Sequence, residues 1–168
     1  ELKLHEIYEK FFAKKLEILN KLKGDLGSNA IAKGNLNELN FLKVHQFYAL
    51  QHFFERSEIS NLFNFDYVHE REWPKEEISR CGILCFDKNK TLHFFHETFA
   101  EFFVADFIGK NLRNNRVMRP EFLNIFLQVL SIKKMEIVRV FLNDLIKDVN
   151  LKKLKINLRE KYFNIFYN

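Results

Sequence analysis

Glycine and proline are scarce in this chain, with five and two among 168 residues. Tight turns draw on those two residue types, so their shortage excludes a fold with many of them and favours helices. Cysteine is nearly absent too: Cys81 and Cys85 stand alone, separated by Gly82-Ile83-Leu84. Two cysteines do not build a disulfide framework, and one C-x3-C pair with no second pair or clustered histidine is a poor zinc site. Both are read as packing thiols in a reducing, cytoplasmic setting. Long apolar runs are missing as well. The longest uncharged apolar-rich run covers residues 122–132, against the roughly 20 residues a bilayer span requires, so no membrane partner is expected. The opening residues Glu1-Leu2-Lys3-Leu4-His5 lead straight into a charged periodic pattern rather than a secretory signal. The first residue is Glu rather than Met, which suggests a fragment of a longer chain.

Catalytic signatures are also lacking. There is no G-x-x-x-x-G-K-[ST] loop to cradle phosphates, no G-x-G-x-x-G after a strand and no H-E-x-x-H. Serine, cysteine and histidine occur without a nucleophile context. His93 and His96 are three apart, the first on a predicted strand and the second just past it, so they are not expected to share a metal. An enzyme complete within these residues is not expected.

Apolar residues make up 47% and charged residues 29%, which argues against disorder and for a real core. Phenylalanine alone occurs 20 times. The formal charge is +5, but from Lys147 onward six basic residues face two acidic ones, so +4 of it belongs to the last segment. That tail is read first as a solvated helix face.

Leu4, Ile7, Tyr8, Phe11, Phe12, Leu16, Leu19 and Leu22 recur at three- and four-residue steps, the pattern of an amphipathic helix closed by Gly24. Leu39, Leu42, Phe47, Leu50, Phe53 and Phe54 mark a second helix over about 37–56. Ser57 reads as the N-cap of a short helix over 58–63. Pro74, Glu76 and Glu77 suit the first turn of another, which Gly82 ends. Residues 83–86 and 91–95 are short apolar strands around Asp87-Lys88-Asn89-Lys90, a predicted β-hairpin. Thr98 and Glu101 have capping-box spacing ahead of a helix over 99–112 that is apolar nearly all round. Helices over about 120–132 and 134–147 follow, and 148–168 look helical or frayed. The fold class is therefore mainly α: a winged-helix-like region over 1–112 with a hairpin at about 83–95, then a helical segment over 113–168 that could begin a second domain.

His96 lies just ahead of the predicted N-cap, where exposed amides and the helix dipole favour an anion. It could donate to a phosphate, or merely hydrogen-bond its loop. Glu101 could be a capping carboxylate or a buried partner for a basic residue. Read as a DNA-binding winged helix, residues 70–81 would supply the recognition helix, yet three basic residues there meet four acidic ones. A helix without basic excess meets the phosphate wall unaided, so nucleic acid is not the expected partner.

Phe94-Phe95-His96-Glu97-Thr98-Phe99-Ala100-Glu101-Phe102-Phe103-Val104-Ala105 resembles the F-x-H-x-[ST]-F-x-E-[FY]-x-A-A-like signature in the winged-helix domain of NACHT-type STAND ATPases, the class that includes NOD-like receptors. Leu4-His5-Glu6-Ile7-Tyr8-Glu9-Lys10-Phe11 looks like the helix that opens that domain, and His45-Gln46-Phe47-Tyr48-Ala49-Leu50 like its second helix. Residues 94–112 with Val138-Arg139-Val140-Phe141-Leu142 are most similar to arthropod proteins that join a NACHT module to ankyrin repeats. The resemblance covers about residues 1–146. It implies that His96 contacts the β-phosphate of ADP held by a nucleotide-binding domain of the same parent chain. It implies too that Phe95, Thr98, Phe99, Glu101, Phe102 and Phe103 form the structural signature. Exchange of ADP for ATP would release the winged helix and allow homo-oligomers, and a C-terminal repeat domain could follow. Ala100 stands where many relatives have Gln, and the phosphate loop and Walker B acid are missing, so no nucleotide is expected on this chain alone. The alternatives are a stand-alone nucleic-acid-binding winged helix and a helical interaction scaffold capping a repeat array.

Overall fold

The computed structural model describes residues 3–25, 38–59, 62, 75–113 and 119–147, with backbone only at 22–25, 38–40 and 77. The elements run α1 (Leu4–Asp25), α2 (Glu38–Phe53), α3 (Arg56–Ile59), α4 (Lys75–Ser79), β1 (Leu84–Phe86), β2 (Leu92–Phe94), α5 (Glu97–Arg113), α6 (Pro120–Ser131) and α7 (Glu136–Leu145), with a 3-10 turn Lys133–Met135 before α7. The protein is mainly helical with one antiparallel hairpin, in the element order the sequence predicts. The readings placed on residue 37, on 60, 61 and 63 of the short helix, on 70–74 and on 148–168 lie outside the described residues.

Two helix ends differ from expectation. α1 continues through Gly24 to Asp25 rather than stopping before it. Ser57 lies inside α3 and is not its cap; instead the Glu58 carboxylate accepts the Glu55 backbone N–H at 3.1 Å, one residue outside the helix. That bond is the acidic half of a capping box, and it starts the helix two residues earlier than Ser57 would.

α5 is the centre of the molecule. Every residue from 100 to 109 is buried. α1, α2 and α7 all pack on it, and β2 lies across its start. The Phe103 ring has no exposure and meets Phe12 and Phe102 at 5.1 Å each, and His45 at 5.1 Å. Phe102 stacks on Tyr8 at 5.5 Å and meets Phe141 edge-on at 5.7 Å. Edge-to-face and offset pairs at such spacing add to the burial of the rings themselves. The core runs without a break past residue 113, because Phe141, Leu142 and Leu145 of α7 join the same cluster. Gly109 allows α7 to come close: a Cβ there would sit 3.1 Å from the Cβ of Leu145.

Asp106 of α5 is buried and accepts from Gln46 Nε2 at 2.7 Å and Lys110 Nζ at 3.0 Å. Two arginines close the ends of neighbouring helices. Arg113, at the end of α5, donates from Nε to the Leu145 carbonyl of α7 at 3.0 Å, and Arg139 of α7 donates from one guanidinium nitrogen to the Val129 and Ile132 carbonyls beside the end of α6. The Leu145 and Val129 carbonyls lie in the last turns of α7 and α6, where the helix supplies no further amide and a cation is favoured; the Ile132 carbonyl also accepts the Met135 N–H at 3.0 Å.

The hairpin pairs Leu84 with Phe94, Cys85 with His93 and Phe86 with Leu92. Leu84, Leu92 and Phe94 face the core, while His93 is exposed and Cys85 partly so. The Asp87 carboxylate holds the turn by accepting the Asn89 and Thr91 amides at 2.8 Å each, and Lys90 takes a left-handed φ of 59°. Gly82, at φ 71°, stops the α4 turn and starts the strand.

Phe103→Ala should cost about 3–5 kcal/mol, because a wholly enclosed ring leaves a cavity. Phe99→Ala should cost distinctly less, since that ring is only half-buried. Urea unfolding midpoints of the two variants check the order; equal losses would place Phe99 as deep as Phe103.

Candidate functional site

The start of α5 is built differently from the predicted capping box. α5 begins at Glu97, and His96 rather than Thr98 is its N-cap. The Phe99 N–H donates to the His96 carbonyl at 3.0 Å, and the Thr98 N–H donates to His96 Nδ1 at 3.2 Å. The Thr98 hydroxyl lies 2.8 Å from the same nitrogen. An Nδ1 that accepts a backbone amide carries no proton, so the neutral ring holds its hydrogen on Nε2. His96 is exposed. The imidazole therefore has one nitrogen committed to the helix and a second, a donor, left for something else.

Glu101 does not reach back to close the box. Its side chain is buried and, among the described residues, makes no hydrogen bond. Burial pushes its carboxyl above the ordinary value, the charge of Glu97 pushes it further, and His96 partly offsets both. Its place is thus neither the capping carboxylate nor a paired buried ion.

The remaining signature residues separate by depth. Phe95 is 74% exposed, the most exposed large apolar residue described. Phe99 is half-buried, stacked on Phe11 at 5.4 Å and edge-on to Tyr8 at 5.6 Å. Phe102 and Phe103 are core. Phe11, Ile7 and Leu4 are themselves 40%, 47% and 37% exposed along α1, so an apolar strip continues from the Phe99 contact. The buried stripe of α1 is instead His5, Phe12, Leu16 and Leu19, with Tyr8 half-buried. On the other side His52 of α2 lies 3.7 Å from the Glu97 carboxylate. The site is thus an exposed imidazole that caps the first turn of α5, between exposed Phe95 and the acidic residue Glu97 in the chain.

Two Cys–His contacts lie elsewhere. His45 is fully enclosed; its Nδ1 donates to the Phe41 carbonyl at 2.8 Å and its Nε2 lies 3.6 Å from Cys81 Sγ. Burial holds His45 down to about 4, against a weaker upward pull from the Phe41 carbonyl. Burial also raises the Cys81 thiol, which donates to the Ile78 carbonyl at 2.9 Å. Cys85 Sγ sits 3.1 Å from His93 Nε2 across the hairpin. His93 turns to Cys85, and no group of three or more His, Cys, Asp or Glu side chains that could hold a metal occurs among the described residues. The Cys85–His93 pair escaped the reading of spacing alone, although the two residues are equidistant from Asn89 at the middle of the turn.

No family model, curated protein or solved structure matches the chain.

His96→Ala should destabilise the fold by about 0.5–2 kcal/mol through loss of the cap, and His96→Asn should recover most of that. Thermal or urea unfolding of both variants checks it. His45 sets a pH dependence. Its value is about 4 when folded and 6.5 ordinarily, so in that window the unfolded chain binds a proton that the folded chain refuses. The stability it contributes is complete above the ordinary value and falls as pH drops toward the folded one, by about 3 kcal/mol in all. Urea midpoints of the wild type should therefore rise through that window more steeply than those of His45→Leu.

Proposed function

We propose that this chain is a regulatory, non-catalytic segment of a NACHT-type signalling ATPase. In this reading it packs on the nucleotide-binding domain of its parent chain and senses bound ADP through His96. The observation that carries the reading is the His96 ring itself: exposed, fixed by its Nδ1 on the first turn of α5, with Nε2–H free to donate. A phosphate oxygen is a suitable acceptor for that hydrogen, and the amide-rich start of α5 adds favourable potential. Exposed Phe95 and the strip of Phe11, Ile7 and Leu4 provide apolar surface that a neighbouring domain could cover. The likeness of residues 94–105 to the family signature supports the same assignment.

One hydrogen bond involving a charged group contributes about 1.5–3 kcal/mol. That biases a two-state equilibrium by its differential affinity, and it does not create the two states. ADP would favour the closed form, and ATP would favour release and homo-oligomers. No helix among the described residues is long and apolar enough to cross a membrane. The acidic balance of residues 70–81 disfavours the nucleic-acid reading. The scaffold reading has one observation of its own: Leu127 and Leu130 of α6, Ile132 just after it, and Ile137 and Val140 of α7 are all at least 40% exposed, as helices that cap a repeat array would be.

His96→Ala in the full-length parent should speed ADP release by about ten- to a hundredfold, the range of one such bond, and raise basal oligomerisation. His96→Asn separates the two roles of the ring, because it keeps the cap. If the Asn variant retains ADP poorly while unfolding like wild type, the phosphate role holds. Wild-type ADP dissociation in both variants would overturn it.

A further inference from the structure

The outer face of the hairpin carries a thiol beside a base. Cys85 and His93 are directly paired across the strands, with their side chains on the face away from the core. Directly opposed residues are the closest side-chain neighbours a sheet offers. Cys85 Sγ lies 3.1 Å from His93 Nε2, and the His93 carbonyl is a distant 3.7 Å from the same sulfur. Cys85 is partly exposed and His93 is exposed. Phe95 extends the same face: its N–H donates to the Ile83 carbonyl at 2.9 Å, which continues the ladder by one pair, and its ring is the most exposed aromatic described. The chain's other thiol has the opposite setting. Cys81 is enclosed, and its hydrogen is donated to the Ile78 carbonyl.

We propose that Cys85 is a site of thiol–disulfide exchange with small disulfides, that His93 is its base, and that Phe95 gives an apolar contact to the incoming group. The Sγ hydrogen passes to His93 Nε2, and Sγ attacks one sulfur of RS–SR. The S–S bond breaks as the Cys85 Sγ–SR bond forms; a basic departing thiolate takes the proton from the imidazolium and leaves as RSH, whereas a weakly basic aromatic one leaves as the thiolate and the imidazolium gives its proton to water. Cys85 is oxidised to the mixed disulfide, and the disulfide reagent supplies the oxidising equivalents. The thiolate is the attacking species, so a neighbouring proton acceptor raises the rate at neutral pH. The proposal is independent of His96 and of any nucleotide.

The test uses the 168-residue chain with dithiobis(nitrobenzoate), whose released thiolate is followed by absorbance, and with glutathione disulfide, followed by intact mass. The expected result is a fast phase that Cys85→Ser removes and a slow phase that Cys81→Ser removes. His93→Gln keeps a polar neighbour but no base, and it should slow the fast phase by about tenfold or more at neutral pH, with an unchanged urea midpoint. Phe95→Ala should slow the aromatic reagent more than glutathione disulfide. A fast phase that survives Cys85→Ser, or one that His93→Gln leaves at the wild-type rate, would overturn the proposal.

Discussion

The enclosure of α5 by aromatic rings governs the rest of the molecule. A helix hidden over residues 100–109 cannot rest on one neighbour, so α1, α2, α7 and the hairpin must all be placed around it. Phe103 and Phe102 fill the space between them, and the two buried carboxylic acids of the helix are handled in different ways. Asp106 is paired with Gln46 and Lys110, whereas Glu101 has no hydrogen-bond partner among the described residues and burial raises its carboxyl above the ordinary value. A helix held this firmly makes its first turn a fixed platform, and His96 stands on that platform.

Much of this arrangement is legible in the sequence, for physical reasons that differ by element. The girth of α5 shows because nearly every position on it is apolar, which no half-exposed helix could tolerate. The hairpin shows because Asp87-Lys88-Asn89-Lys90 is turn chemistry between two apolar runs, and the structure adds that the Asp87 carboxylate makes the turn's hydrogen bonds. The errors concern caps and partners. Thr98 fits a pattern drawn from residue types, but a histidine two residues earlier supplies the acceptor, and such an exchange is invisible to a pattern that lists only hydroxyl and amide caps. Ser57 fails in the same way, since Glu58 closes its turn from the other side. In α1 the apolar residues outnumber the positions that the core can take, so Phe11 and Ile7 remain at the surface although the periodicity counts them as core.

In the sequence the candidate site shows as a histidine ahead of a helix start, which leaves a phosphate contact and a plain loop hydrogen bond both open; only the resemblance of residues 94–105 to a family signature favours the first. The geometry contributes what the motif cannot: which ring nitrogen is engaged and which is open. That distinction also separates two kinds of damage at one position. Loss of the cap loosens a helix end, whereas loss of the open nitrogen would touch only an external acceptor.

The two guanidinium contacts between helices have a bearing on how the bundle comes apart. Arg113 closes α7 and Arg139 closes the end of α6, so each helix end depends on a side chain anchored in another helix. Fraying of α7 would withdraw Arg139 and uncover the carbonyls of α6, while it left the guanidinium of α5 without its acceptor. The three helices are thereby tied into one cooperative block, in which loosening spreads from helix to helix instead of remaining at a single terminus.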